Sequence, residues 1–117
     1  MNISNSEIRL MELIWANEPI KSGALSALAD SSLGWKKSTV YTIIKKLVCK
    51  GAVKSESAVI TSLVQRSEVL SEKSETLINK TYDGSLPMFL AAFLQKERLT
   101  PDEAEELKSI IDSYTEK

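Results

Sequence analysis

One segment of the 117-residue chain, residues 38–51, restricts the fold more than any other. Its apolar residues recur at helical spacing, which predicts a helix with one apolar side: Val40, Ile43, Ile44 and Leu47. The other positions carry short hydroxyls followed by amines, groups that reach base edges and phosphate oxygens: Ser38, Thr39, Tyr41, Thr42, Lys45 and Lys46. Gly51 predicts the end of this helix. The pattern is typical of a recognition helix that lies in a DNA major groove.

The residues before this helix predict two further helices. Ser4 and Glu7 form a capping-box pattern at the start of a helix from about Asn5 to Ala16. A second helix is expected from after Ser22 to about Asp30, with residues 31–34 as a loop. Three short helices, the last of which carries the polar face, match a helix-turn-helix layout.

A short β-hairpin is expected after Gly51. Residues 52–56 and 58–61 are β-prone, with Ser57 near the middle and no Asn-Gly or Asp-Gly turn between them. The hairpin occupies the place of a wing, so the fold class predicted for residues 1–65 is a winged helix-turn-helix domain with three helices and a short hairpin.

Residues 66–117 predict three more helices, and we expect them to form a dimerisation domain. Ser85 and Thr100 each provide an N-cap, followed by Pro87 and Pro101 in the first turns. The helix that contains residues 88–94 is apolar almost all round, which favours burial against a second chain over packing of this half back onto the first domain. The expected dimer contacts are Leu77, Leu86, Phe89, Leu90, Phe93, Leu107, Ile110 and Ile111.

Composition narrows the possible functions. The chain has no histidine and one cysteine, Cys49, so it lacks Ser-His and Cys-His pairs and the usual zinc ligands. We therefore expect no enzyme, no metal and no cofactor. No apolar run approaches the roughly 20 residues of a membrane span, and no secretory signal precedes the first helix, so a soluble, cytoplasmic protein is expected.

Charge is divided unevenly along the chain. Residues 1–66 carry nine Lys or Arg against five Asp or Glu, a net charge of +4, whereas residues 67–117 carry −5. A basic first half suits a polyanionic partner, and an acidic second half does not. The charge therefore agrees with the position of the candidate recognition helix.

Several side chains allow two interpretations. Thr39 and Thr42 could contact DNA or bond back to their own helix, and Tyr41 could contact the sugar-phosphate backbone or cover the apolar seam. Trp15 is expected in the core, and Trp35 is expected to pack at the corner between the second and third helices. Cys49 is expected to be a small apolar filler, with a redox sensor as the alternative.

Motifs along nearly the whole chain resemble the penicillinase-repressor family of bacterial regulators (the BlaI/MecI/CopY type). The matching segments are residues 7–15, 38–51, 82–86 and 99–107. The resemblance implies a winged-helix domain, a helical dimerisation domain and a homodimeric repressor on a palindromic operator. It also implies that the third helix reads DNA through Lys37, Ser38, Thr39, Tyr41, Thr42, Lys45 and Lys46.

The resemblance further implies how such a repressor is inactivated. In antibiotic-resistance members, a membrane sensor protease system cuts the fifth helix before a Phe, and the matching bond here joins Ala92 to Phe93. Ala92 stands where those members carry Asn, the wing is about four residues shorter, and the cysteine cluster of copper-sensing members is missing. A regulator that responds to a small effector without the proteolytic switch, or a winged-helix protein-interaction module, therefore stays open as an alternative.

Overall fold

The computed structural model describes residues 1–116. The chain forms two compact units, residues 1–74 and the residues from 75 onward, and the boundary falls inside a helix, α4 (Arg66–Thr81). The division between a DNA-binding and a dimerisation domain at residues 65 and 66 stays a prediction.

Six helices and three short strands make up the described chain. In order they are α1 (Asn5–Asn17), β1 (Ile20–Lys21), α2 (Ser22–Leu33), α3 (Lys37–Lys50), β2 (Val53–Glu56), β3 (Val59–Ser62), α4, α5 (Leu86–Leu94) and α6 (Pro101–Tyr114). This confirms the predicted mainly α fold, in which a winged helix-turn-helix is followed by three helices.

The predicted capping box at the start of α1 is present. The Ser4 hydroxyl accepts a hydrogen bond from the Glu7 amide at 3.2 Å, and the Glu7 carboxylate accepts one from the Ser4 amide at 2.8 Å. These bonds satisfy backbone donors that the first turn of a helix leaves free.

The end of α2 differs from the prediction. Residues 31–33, expected in a loop, continue the helix, because the helix ends only where Gly34 adopts a left-handed conformation with φ of 68°. The Gly34 amide then donates to the carbonyls of Ala29 and Asp30. Serine is tolerated in a last helical turn, so Ser31 and Ser32 did not mark the boundary.

The sheet has the strand order β1-β3-β2, and both pairings are antiparallel. The predicted hairpin is present, with Glu56 opposite Val59 and a two-residue turn at Ser57 and Ala58. β1 was not predicted, because two residues are too few to show an alternating pattern. Its Ile20 pairs with Ile60 of β3, which attaches the hairpin to the segment between α1 and α2.

One hydrophobic core holds the first unit together. It draws residues from the three N-terminal helices, from the sheet and from the first turn of α4, and its largest fully buried side chains are Leu10, Met11, Ile14, Leu25, Val40, Leu47, Val53 and Ile60. Trp15 is half-buried against this core, as expected, and its indole N–H donates to the Val64 carbonyl at 3.0 Å. The apolar seam of α3 is thereby buried, so its polar face must point outward.

The second unit contains well-capped helices with little burial. The Ser85 hydroxyl accepts from the Met88 amide at 3.2 Å, and Thr100 and Glu103 form the predicted capping box. Phe89 packs edge-to-face on Tyr82, with ring centroids 5.5 Å apart. Within residues 86–94 and 101–114 as described, no side chain is buried. No helix among residues 1–116 has the length and apolar character needed to cross a membrane.

Candidate nucleic-acid interface

The outward face of α3 carries every residue predicted to contact DNA. Val40, Ile43, Ile44 and Leu47 are buried. The side chains of the predicted DNA-binding set are all exposed, and the set consists of Lys37, Ser38, Thr39, Tyr41, Thr42, Lys45 and Lys46. One helix therefore brings all seven together, and the core fixes the direction in which they point.

Cys49 belongs to this face and not to the core, which corrects the expectation of an apolar filler. The thiol is exposed. Cys49 follows Ser38, Thr42 and Lys45 at intervals of four, three and four residues, so all four side chains share one stripe of the helix surface. The prediction was wrong because the apolar seam uses the opposite side of the helix.

Of the two threonines, Thr42 bonds back to its own helix. Its hydroxyl donates to the Ser38 carbonyl at 2.9 Å. This bond uses the only hydroxyl proton, and the oxygen keeps lone pairs that can still accept a hydrogen bond from a ligand. Thr42 therefore presents an acceptor and a methyl group to the surroundings.

Tyr41 lies at the edge of the face that is nearer to α2. Its hydroxyl donates a long hydrogen bond of 3.4 Å to the Ser22 hydroxyl, and the Lys37 ammonium lies 5.7 Å from the ring centroid. Lys37 is thus held near the N-terminus of α3 by a cation–π contact with Tyr41, while its charge remains exposed.

Trp35, in the turn before α3, is half-buried against the core, as expected of a residue that packs the corner between α2 and α3.

A surface groove of about 700 Å³ runs between the first turn of α1 and the face of α3. Its walls are formed by the N-cap Ser4 and by Ser6 and Glu7 on the side of α1, and by Ser38, Thr39, Thr42, Ile43, Lys46 and Lys50 of α3. Sequence reasoning did not place α1 beside the recognition face. The two segments are more than 30 residues apart, and no local pattern connects them.

Glu7 and Lys50 form a partly buried ion pair at this groove. The Lys50 ammonium donates to Glu7 Oε1 at 2.6 Å. Burial would raise the pKa of the Glu7 carboxyl, but the hydrogen bonds from Lys50 and from Ser4 outweigh it and hold the pKa below its ordinary value of 4.5. Glu7 is therefore a carboxylate at neutral pH, and Lys50 neutralises it.

The hairpin that corresponds to a wing lies close to the body of the domain. The Ala58 carbonyl at its tip accepts a hydrogen bond from the Ser22 amide at 2.8 Å. Ser55 and Lys54 of β2 have exposed side chains. A two-residue tip bonded to α2 gives this wing a shorter reach than a long hairpin would have.

The predicted dimerisation residues lie on the second half of α4 and on α5 and α6. Leu77, Leu86, Phe93, Ile110 and Ile111 are each about half exposed, and Phe89, Leu90 and Leu107 are partly buried. Ala92 and Phe93, which flank the candidate cleavage bond, are both exposed within α5.

Comparison with known proteins shows which family this sequence resembles. The model of the penicillinase repressor family matches residues 3–113. The chain is 26% identical to the penicillinase repressor of Bacillus licheniformis over 96% of its own length and 91% of that protein. It is 30% identical to the methicillin resistance regulatory protein MecI of Staphylococcus aureus (strain N315) over 94% of its own length and 93% of that protein.

Solved structures share the fold over more than half of the chain. The solution structure of the Bacillus licheniformis BlaI monomeric form in complex with the blaP half-operator is 25% identical, with a TM-score of 0.51. The match covers 58% of this chain and 88% of that one. With a family model that spans almost the entire sequence, the chain belongs to the penicillinase repressor family, whose members are transcriptional repressors and not enzymes.

Proposed function

We propose that this protein represses transcription as a homodimer bound to a palindromic operator, with α3 in the major groove. The single observation that carries the proposal is the exposed α3 face. All seven hydroxyl, aromatic and cationic side chains point away from the core on a rigid helix. The BlaI structure in complex with the blaP half-operator supports DNA as the partner.

Base reading falls to Ser38, Thr39 and Thr42 in this proposal. The Thr42 hydroxyl already donates its hydrogen bond to the Ser38 carbonyl, so toward a base it can act only as a hydrogen-bond acceptor. Its partners are therefore an adenine or cytosine amino group, or the thymine methyl group against its own methyl. Lys37, Lys45 and Lys46 supply positive charge to the phosphates on either side of the groove.

The second unit supplies the homodimer contact. Leu77, Leu86, Phe93, Ile110 and Ile111 expose about half of each side chain, and water-exposed apolar surface of this extent favours association. A two-fold axis would place the two α3 helices roughly one turn of DNA apart or a multiple of it, which requires an operator with matching two-fold symmetry.

The bond between Ala92 and Phe93 is our candidate for proteolytic inactivation by a membrane sensor protease system. Both residues lie in regular helix, and proteases bind their substrates in an extended conformation. Cutting therefore requires α5 to unwind. This is easier in the free chain, where α5 has no buried side chain, than in the proposed dimer, where its apolar surface is covered. Loss of α6 from the cut chain would then weaken the dimer.

The DNA-binding proposal is tested with two variants of α3. Operator sequences are first selected from random duplexes, and affinities are then measured by fluorescence anisotropy at several salt concentrations. Lys46→Ala should weaken binding to all sequences, and the slope of log affinity against log salt should become shallower by about 0.9 per lost phosphate contact. Thr39→Val keeps the shape of the side chain and removes the hydroxyl. It should change the free-energy difference between the preferred base and the other bases at one operator position by about 1–3 kcal/mol.

Lys80→Ala serves as the control, because it removes an equal charge from the last turn of α4 and should leave affinity and salt slope unchanged. A salt-independent affinity, or binding that neither α3 variant alters, would refute the proposed interface. Failure of the wild-type protein to bind any duplex at low salt would favour a protein-interaction module instead.

A further inference from the structure

The last residue of α3, Lys50, directs its charge into the protein. Its ammonium donates to Glu7 Oε1 and to the backbone carbonyl of Asn2, both at 2.6 Å. Two of its three N–H donors are therefore used within the domain. For Lys45 and Lys46, whose side chains are exposed on the same helix, the described residues form no hydrogen bond or ion pair with the ammonium.

Glu7 has a strong requirement for this cation. Only 3% of the residue is exposed, Oε1 also accepts from the Ser4 amide, and Oε2 has no hydrogen-bond partner among the described residues. An unpaired carboxylate at such a depth is destabilising, because the protein interior solvates the charge poorly. Lys50 is the cation that neutralises Glu7.

The position of the pair links it to the recognition face. Glu7 and Lys50 line the same groove as Thr39, Thr42 and Lys46. The contact joins the C-terminal end of α3 to the first turn of α1 across 43 residues of sequence. A rotation of α3 about its axis would break this contact. It would also turn the hydroxyl side chains of Ser38, Thr39 and Thr42 away from their present direction.

We propose that Lys50 is a positioning residue for DNA recognition. It holds α3 at the rotation that presents Ser38, Thr39 and Thr42, it cancels the negative charge of Glu7 beside the groove, and it contacts no phosphate. The proposal rests on the proposed function, in which the α3 face meets DNA.

Salt dependence separates a positioning lysine from a phosphate ligand. A lysine that contacts phosphate releases counterions, and its removal makes the salt slope shallower by about 0.9 per contact, or about 1.8 for a symmetric dimer. Removal of a positioning lysine lowers the affinity for the operator and leaves the slope as it was. Moreover, its effect should depend on Glu7, because the uncompensated carboxylate causes the loss.

The experiment measures operator binding by anisotropy across a salt series for Lys50→Met, for Glu7→Gln combined with Lys50→Met, and for the control Lys45→Met. Lys50→Met should weaken operator binding roughly tenfold or more with an unchanged slope. The double variant, which pairs two neutral side chains, should return to within about twofold of wild type. Lys45→Met should make the slope shallower, and adding Glu7→Gln should not rescue it.

Two results would overturn the proposal: a shallower slope for Lys50→Met that Glu7→Gln does not restore, or an unchanged affinity for Lys50→Met. Circular dichroism and thermal melting check each fold. If Lys50→Met alone does not fold, the double variant decides, since a wild-type slope supports positioning and a shallower slope contradicts it. Failure of the proposed function looks different, because Lys45→Met would then have no effect either.

Discussion

The backbone amide of Ser22 donates a 2.8 Å hydrogen bond to the carbonyl of Ala58, which joins the first residue of α2 to the tip of the β2–β3 hairpin. Both turn residues have positive φ angles, 51° at Ser57 and 63° at Ala58. Such a turn matches the twist of the strands, but it favours Asn followed by Gly, and side chains with a Cβ are strained there. The hairpin thus keeps a short, attached tip at the expense of local backbone strain.

Relief of this strain should stabilise the domain. Changing Ser57→Asn together with Ala58→Gly is expected to raise the free energy of unfolding by about 1 kcal/mol, since both residues then adopt positive φ readily. Urea unfolding followed by circular dichroism measures the change. Ser55→Asn, an exposed change in β2 outside the turn, should give no gain. A double variant no more stable than wild type would show that the turn is not strained.

Stability should also depend on pH through Glu7. Its pKa in the folded protein lies below the ordinary value of 4.5, so the unfolded chain binds the proton more tightly. The carboxylate therefore contributes its full stabilisation above about pH 4.5, and this contribution is lost as the pH falls through the lower folded pKa.

Unfolding free energies measured from about pH 6 down to about pH 3 should fall less steeply for Glu7→Gln than for wild type. The matched control is Glu12→Gln, which removes a carboxylate paired with Arg66 at an exposed position and should change the profile little. Identical pH profiles for Glu7→Gln and wild type would contradict the assigned role of Glu7.

Cys49 provides a chemical probe of the DNA-binding face. Its thiol lies on the same stripe as Thr42 and Lys45, so bound operator should slow its reaction with a maleimide by at least about tenfold, as expected when a duplex covers the face. In a Cys49→Ser background, Ala16→Cys places an exposed thiol near the C-terminal end of α1. The first turn of α1 lines the groove beside α3, and Ala16 lies at the opposite end of that helix, so the reaction of this thiol should be unaffected by DNA. Equal protection of both thiols, or of neither, would argue against an α3 interface.

The apolar surface of the second unit should control assembly. Phe93 is 51% exposed in α5, so Phe93→Asp should raise the dimer dissociation constant by at least about thirtyfold, the effect of losing an interface hot spot. Sedimentation equilibrium measures it, and the melting temperature should lose its dependence on protein concentration. Gln95→Asp, two residues further along at the exposed C-cap of α5, is the control. A Phe93→Asp protein that remains dimeric would place the interface elsewhere.

Local signals in the sequence were sufficient for most element boundaries. Ser4 marked the start of α1 and Gly51 the end of α3, because each residue forms hydrogen bonds with its own helix terminus. The end of α2 was misplaced, because Gly34 and not the preceding serines stops the helix. The polar face of α3 was predictable because burial of its apolar seam determines where the remaining side chains point.

Contacts between distant segments were not predictable in the same way. The pairing of Glu7 with Lys50 depends on how α1 packs against α3, and a sequence of separate helices contains no register between them. For the same reason, the sequence did not indicate that Lys50 pairs with a residue of α1. The exposure of Cys49, in contrast, follows from its helical spacing with Ser38, Thr42 and Lys45 and was overlooked. The candidate DNA-binding residues were therefore found from the sequence, whereas the residues that orient them required the structure.

The lack of buried side chains in α5 and α6, as described for residues 86–114, has a consequence for gene control. If these helices become buried only when two chains meet, the amount of functional repressor grows faster than the amount of protein synthesised. A modest fall in synthesis, or modest degradation, would then release the promoter more sharply than the loss of molecules alone predicts.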